Sequence, residues 1–150
     1  MAEEKTNVMR VLEQKKIPYT PHSYPHTEGE AVDGATVAAL LGRDPGEVYK
    51  TLVTRGASKA NYVFVVPVLA ELDLKKAAKT VGEKSIELIH VKELTPLTGY
   101  VRGGCSPIGM KKRFKTVVDA SAQAHAAILV SAGKIGRQVE LSPDALVGLI

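Results

Sequence analysis

A lysine set among aliphatic residues is the first feature of this chain that could do chemistry. In Val48-Tyr49-Lys50-Thr51-Leu52-Val53 a strand would put Val48, Lys50 and Leu52 on one face. Both neighbours on that face are aliphatic. The ammonium must therefore snorkel, guard a strand edge or project into a pocket. An edge guard is the commoner use; in a pocket the cation would meet a phosphate or a developing oxyanion. The second feature is Gly103-Gly104-Cys105-Ser106-Pro107-Ile108-Gly109. Its glycines and proline make a stiffly shaped turn with exposed amides, suited to close approach of a carbonyl oxygen or phosphate. The spacing fits neither a P-loop nor a dinucleotide-binding fingerprint. A basic run, Lys111-Lys112-Arg113, follows at once, and a structural turn with a solvated charged tail is the bland alternative.

Other reactive side chains give less. Cys105 is the sole cysteine, and the histidines at 22, 26, 90 and 125 are scattered. A nucleophilic cysteine needs a histidine base and an orienting partner, and nothing in the spacing supplies them. Cys105 is expected to be an incidental buried thiol. The same scatter speaks against a metal site, and no metal or cofactor is expected. The nucleophile elbow Gly-x-Ser-x-Gly is missing, which weakens a serine-hydrolase reading. In Leu129-Val130-Ser131-Ala132-Gly133-Lys134 a strand runs into a turn, where Ser131 could serve a ligand or cap the turn.

These residues must be positioned by local elements. Residues 6–16 read as a helix capped by Thr6 with an apolar stripe at Val8, Met9, Val11 and Leu12. Residues 19–24 read as an edge strand, because Pro21 cannot donate to a ladder. A helix over 36–41 closes at Gly42, and Asp44-Pro45 starts a brief helical turn. Strands at 48–55 and 62–67 form a hairpin, and the nearly continuous apolar run of the second suits a central position. Asp73 begins the clearest helix, ended by Gly82. Strands at 86–89, 116–118, 127–131 and 137–141, a short helix at 91–94 and a last helix after Ser142-Pro143 complete the chain. Helices do not regularly separate the strands, so a doubly wound sheet is not expected. The expectation is one α/β domain over residues 1–150, with a mixed, curved β-sheet of six to seven strands and short helices packed around it.

Composition bounds the partners. The 150 residues are 45% hydrophobic and 24% charged, which excludes a disordered or fibrous chain. Apolar runs are too short to span a membrane, no hydrophobic signal region follows Met1, and one cysteine excludes an internal disulfide framework. These features point to the cytoplasm. The net charge of +4 permits a polyanionic partner such as RNA without requiring one. Aromatics are only 5%, few for a base-stacking platform.

Taken together, the segments resemble the YbaK family of freestanding aminoacyl-tRNA deacylases, related to the editing domain inserted in bacterial prolyl-tRNA synthetases. The resemblance covers nearly the whole chain. It rests on His22-Ser23-Tyr24, Val48-Tyr49-Lys50-Thr51-Leu52, Leu72-Asp73-Leu74-Lys75-Lys76, Thr98-Gly99-Tyr100, Gly104-Cys105-Ser106-Pro107-Ile108-Gly109 with Lys111-Lys112, and Val130-Ser131-Ala132-Gly133-Lys134. The order and spacing of the lysine strand and the Gly-x-x-Pro-x-Gly loop are the specific part.

The resemblance implies roles. Lys50 would be essential, engaging the terminal adenosine phosphate or the ester. The loop from Gly104 to Gly109 would offer amides to the substrate carbonyl. Tyr24, Thr51, Ser106, Pro107 and Ser131 would line the aminoacyl pocket. Lys111, Lys112, Arg113 and Lys134 would hold tRNA around the same pocket. An acidic residue is expected near the last strand, where this chain has Gln138. The implied reaction is trans-editing of Cys-tRNA(Pro), in which the substrate's own thiol attacks its carbonyl, so that no enzyme nucleophile is needed. Prolyl-tRNA synthetase is the implied protein partner. Editing of Ala-tRNA(Pro) by water, a non-catalytic tRNA- or nucleotide-binding module, and a small-molecule hydrolase using Cys105 stay open.

Overall fold

The computed structural model describes residues 5–27 and 30–150. Helix α1, Asn7–Gln14, is capped by Thr6, whose hydroxyl accepts from the Met9 amide, and it buries Val8, Met9 and Leu12. Strand β1, Thr20–Ser23, follows. Helix α2, Gly34–Leu41, starts at Asp33 and closes on Gly42, whose φ is +67°. Its apolar face, Val37 and Ala38, turns inward. Asp44 caps a single 3₁₀ turn, Pro45–Glu47, which delivers the chain into β2, Tyr49–Gly56. Strand β3, Asn61–Pro67, pairs antiparallel with β2 in the register Lys50 opposite Val66.

Asp73 caps α3, Leu74–Val81, and Gly82 ends it in the left-handed region. Strand β4, Ile86–Leu88, returns to β2. Helix α4, Val91–Thr98, runs one turn past the expected 91–94 and carries Pro96 inside. Pro96 removes the helical bond its amide would make to the Lys92 carbonyl, and the Thr98 hydroxyl donates to the Leu94 carbonyl at 2.8 Å. Strands β5, Lys115–Val118, β6, Ile128–Ser131, and β7, Arg137–Leu141, and helix α5, Pro143–Leu149, complete the order. A 3₁₀ helix at Ala120–Ala124, capped by Asp119, was not foreseen; its small residues carry no periodic apolar signal.

The strands form two sheets rather than the one expected. One has the order β1-β7-β6, the other β4-β2-β3-β5. The second is mixed, since β3 and β5 run parallel. Val48 and Leu129 form the bridge between them. The Pro45–Glu47 turn ends immediately before Val48, so the chain meets β6 at Val48, one residue before β2 begins, and β2 then follows β3. β4 covers only Thr54–Gly56 of β2, and the Val48–Leu129 bridge places Lys50 beside the seam between the sheets.

Three apolar clusters hold this arrangement. The largest packs Val8, Met9 and Leu12 of α1 and Leu146 of α5 against Ile128, Val130, Val139 and Leu141. A second lies under α3 and joins Phe64, Ala77, Ala78 and Ile86. The third, Tyr24, Val37, Ala38, Val48 and Leu129, fills the seam. Each fully buried aliphatic side chain contributes about 1.5–3 kcal/mol relative to exposure, so the seam rests mainly on side-chain packing.

Candidate active site

The seam opens into a pocket of about 120 Å³. Strand β2 supplies Lys50 and Thr51, the loop after β1 supplies Tyr24, and Gly103 and Cys105 come from the glycine loop. Ser131 of β6 and Gln138 of β7 stand directly opposite each other in their ladder and both line the pocket. Val32, Val37 and Val68 form the apolar wall beside α2. Sequence reasoning did not assign this wall to a site. Its signal is the pair Val37-Ala38, which reads only as an ordinary buried helix face.

Lys50 is half-buried, and among the described residues it forms no ion pair. The lining contains no carboxylate. Lys50 thus brings a positive charge with no ion-pair partner among the described residues to the pocket.

The glycine loop meets tight steric limits. A Cβ on Gly104 would stand 3.0 Å from the Ile135 amide nitrogen and 3.1 Å from the Lys134 backbone. Gly103 has φ +87°. Close backbone approach, rather than flexibility, explains this pair. The Gly104 amide donates to the Val101 carbonyl at 2.9 Å, so this N–H is already engaged. The Ile108 amide donates to the fully buried Ser106 hydroxyl. The Cys105 amide, at the pocket wall, has no hydrogen-bond partner among the described residues.

Burial pushes the Cys105 thiol up to about 12. It stays protonated near neutral pH and is a poor nucleophile. His125 packs edge-on against Tyr49, and the Tyr49 hydroxyl bonds to Ser121; neither places a base beside Cys105.

The structure brings Tyr24, Lys50, Thr51 and Ser131 to one pocket and leaves other expected members elsewhere. Pro107, Gly109, Lys112 and Arg113 line a separate depression with Phe114 and Leu149. Lys134 lines a third, beside His26, Tyr100 and Arg137. Ser106 is buried beneath the loop, and Lys111 is exposed, its amide donating to Thr98. The basic residues therefore do not ring one pocket, because the loop reverses at Pro107 and carries them to another face.

Behind the pocket, Arg43 forms a bidentate pair with Glu140 at 3.0 and 2.7 Å and also holds Glu47. His22 contacts the same Glu140 carboxylate at 2.9 Å. Arg43 holds the Glu140 carboxyl down to about 2. This cluster pins the end of α2 to β1 and to β7, the strand that carries Gln138 of the pocket lining.

A family model described as an aminoacyl-tRNA editing domain matches residues 28–149. The chain belongs to this editing-domain family. A curated protein of Enterococcus faecalis, named as a candidate Cys-tRNA(Pro)/Cys-tRNA(Cys) deacylase, EbsC, is 48% identical over 147 residues, covering 98% of this chain and 89% of that one. Among solved structures, the hypothetical protein APE2540 matches with a TM-score of 0.84 at 24% identity over 95% of this chain and 92% of its own. A candidate trans-editing enzyme for prolyl-tRNA synthetase matches with a TM-score of 0.80 at 23% identity over 95% and 88%. These two share the fold of this chain. Among the described residues no group of three His, Cys, Asp or Glu side chains is assembled that could hold a metal ion, and no helix is long and apolar enough to cross a membrane.

Proposed function

We propose that the protein is a freestanding editing deacylase that removes cysteine from mischarged Cys-tRNA(Pro), the whole chain acting as one editing domain in the cytoplasm. The observation that carries this reading is the seam pocket: an uncompensated Lys50, polar groups from both sheets and no activated nucleophile. Such a site can bind and polarise an ester but cannot attack it. The attacking group in this reading is one that the substrate carries.

Cysteine carries one. Its thiol, as thiolate, attacks the ester carbonyl; the S–C bond forms, the C–O bond to the ribose breaks, and the ribose oxygen takes a proton. A four-membered thiolactone leaves, and the free tRNA is released. Lys50 sits where negative charge develops on the carbonyl and ribose oxygens. One preorganised donor of this kind contributes roughly 10²–10³ in rate. The Cys105 amide is the loop donor we assign to the carbonyl oxygen. Tyr24, Thr51 and Ser131 orient the aminoacyl group.

Pocket size supports a small acyl group. A cavity of about 150 Å³ accommodates a benzene, and this one is about 120 Å³. Cysteine and proline differ too little for a synthetase pocket to separate them by more than a few kcal/mol, so a second site that destroys the wrong ester closes the gap. Lys111, Lys112, Arg113 and Lys134, lying on faces away from the pocket, would contact tRNA phosphates beyond the acceptor end. Prolyl-tRNA synthetase, which makes the mischarged ester, is the partner this reading favours.

The test is deacylation of purified Cys-tRNA(Pro), Ala-tRNA(Pro) and Pro-tRNA(Pro). Rapid loss of cysteine alone is expected. Equal loss of alanine would mean that water, not the substrate thiol, attacks. Salt-sensitive tRNA binding with no ester loss would leave a binding module instead.

A further inference from the structure

One lining residue is left without a job by the reaction described above. Gln138 is only 6% exposed, lines the pocket, and has its Oε1 buried with no hydrogen-bond partner among the described residues. Thr51 Oγ1, in the same lining, is likewise buried and unpartnered. A buried polar atom left unpaired costs about 1–3 kcal/mol, and such groups are few in native proteins. Both residues line the same 120 Å³ pocket, and each carries an oxygen that no hydrogen-bond partner among the described residues satisfies.

The neighbours of Gln138 do not supply that donor. In the ladder it stands between His22 of β1 and Ser131 of β6. His22 is turned to Glu140 at 2.9 Å. Ser131 Oγ accepts from the Gly133 amide, and its own hydrogen makes no bond to Gln138 Oε1. The one cation of the lining, Lys50, comes from the other sheet and makes no hydrogen bond to either orphan oxygen. What remains unmatched is a pair of acceptors without a carboxylate.

An aminoacyl ester brings two donor groups into such a pocket, a thiol and an α-amine. The thiol has one weakly donating hydrogen and must stay free to attack the carbonyl. The amine has at least two hydrogens, one for each orphan oxygen. We infer that Gln138 Oε1, with Thr51 Oγ1 as second acceptor, receives the α-amino group of the aminoacyl ester and thereby turns the carbonyl toward Lys50. Gln138 is then a positioning and specificity residue: it recognises an α-amino acid ester and discriminates against esters that lack the amine. This inference rests on the deacylase reading above and adds the group that the pocket reads.

The test compares two substrates, Cys-tRNA(Pro) and 3-mercaptopropionyl-tRNA(Pro), which keeps the thiol and lacks the amine. Gln138→Met removes the acceptor at nearly constant shape, and Gln138→Glu retains it. Gln138→Met should lower kcat/KM on Cys-tRNA(Pro) by about ten- to a hundredfold, mostly through KM, and leave the desamino substrate within about twofold of wild type. Gln138→Glu should restore the difference between the substrates. Equal loss on both substrates with Gln138→Met, no loss on either, or no rescue by Glu would overturn the inference while the deacylase reading stands. If wild-type protein cleaves neither ester, the deacylase reading fails and the inference falls with it. Circular dichroism of each variant separates misfolding from lost recognition, and Gln138→Glu carries the comparison if the Met variant does not fold.

Discussion

Lys50 and Ser131 reach the same pocket from different sheets, and the Val48–Leu129 bridge lies two residues before each of them. The two side chains are therefore fixed relative to one another by a short backbone path. Neither the β1-β7-β6 sheet nor the β4-β2-β3-β5 sheet carries the site alone.

Lys50→Ala should abolish activity without harming the fold. The side chain makes no ion pair among the described residues and is half-buried, so stability should change by less than about 1 kcal/mol. The loss in kcat/KM on Cys-tRNA(Pro) should be at least about a hundredfold. Single-turnover deacylation beside a thermal melt checks both halves.

Cys105→Ser should stay within about threefold of wild-type deacylation. With the thiol held up at about 12, a free-cysteine value near 8.5 leaves the protein with on the order of a thousandfold less thiolate at pH 7. An aromatic disulfide reagent should accordingly label native protein on the order of a thousandfold more slowly than free cysteine. Fast labelling of the folded protein, or loss of activity in the serine variant, would return Cys105 to the list of nucleophiles.

Gly104→Ala should damage both loop and catalysis. The added methyl would press at 3.0–3.1 Å on the backbone of Lys134 and Ile135, which cannot swing aside as a side chain would. A cost of about 1–3 kcal/mol is expected, with a drop in kcat larger than the rise in KM because Gly103 and Cys105 shift with it. Chemical denaturation and steady-state kinetics on the same variant measure these.

Glu140 sets an acid limit. Its folded carboxyl lies at about 2 against an ordinary 4.5, chiefly through Arg43. A depressed carboxyl contributes stability above its unfolded value and loses that contribution as pH falls toward the folded one. The contribution should be whole at neutral pH and vanish between about pH 4.5 and 2. Glu140→Gln should cost about 2 kcal/mol at pH 7, with partial solvent screening already discounted, and almost nothing at pH 2. Melting temperatures across that range test the sign.

Much of this architecture was legible residue by residue. Asp73 and Ser142 cap helices as their types suggest, and the pre-proline Asp44 opens its turn. The hairpin of β2 and β3 and the central place of β3 followed from apolar patterning. The split into two sheets was not legible. It depends on the parallel pairing of Val63 with Thr116 and on one bridge between Val48 and Leu129, contacts across long stretches of chain that leave no local pattern. The site was partly legible for the same reason. Tyr24, Lys50, Thr51 and Ser131 converge, whereas Lys112 and Arg113, adjacent in sequence to the glycine loop, face another surface. Gln138 stood out only through the resemblance, as the position where an acidic residue is expected, and its unpaired oxygen appears only in three dimensions.

The seam cluster of Tyr24, Val37, Ala38, Val48 and Leu129 has a consequence for how the protein fails. Local openings cost less than global unfolding wherever few hydrogen bonds cross a boundary, and among the described residues the backbone joins the two sheets at the Val48–Leu129 bridge, the rest of the joint being side-chain packing such as Tyr49 and Val65 against β6 and β7. In rising urea the joint should part while each half keeps its ladder. Deacylation would then disappear at a lower denaturant concentration than the far-ultraviolet signal, so the enzyme would fall silent while still looking folded.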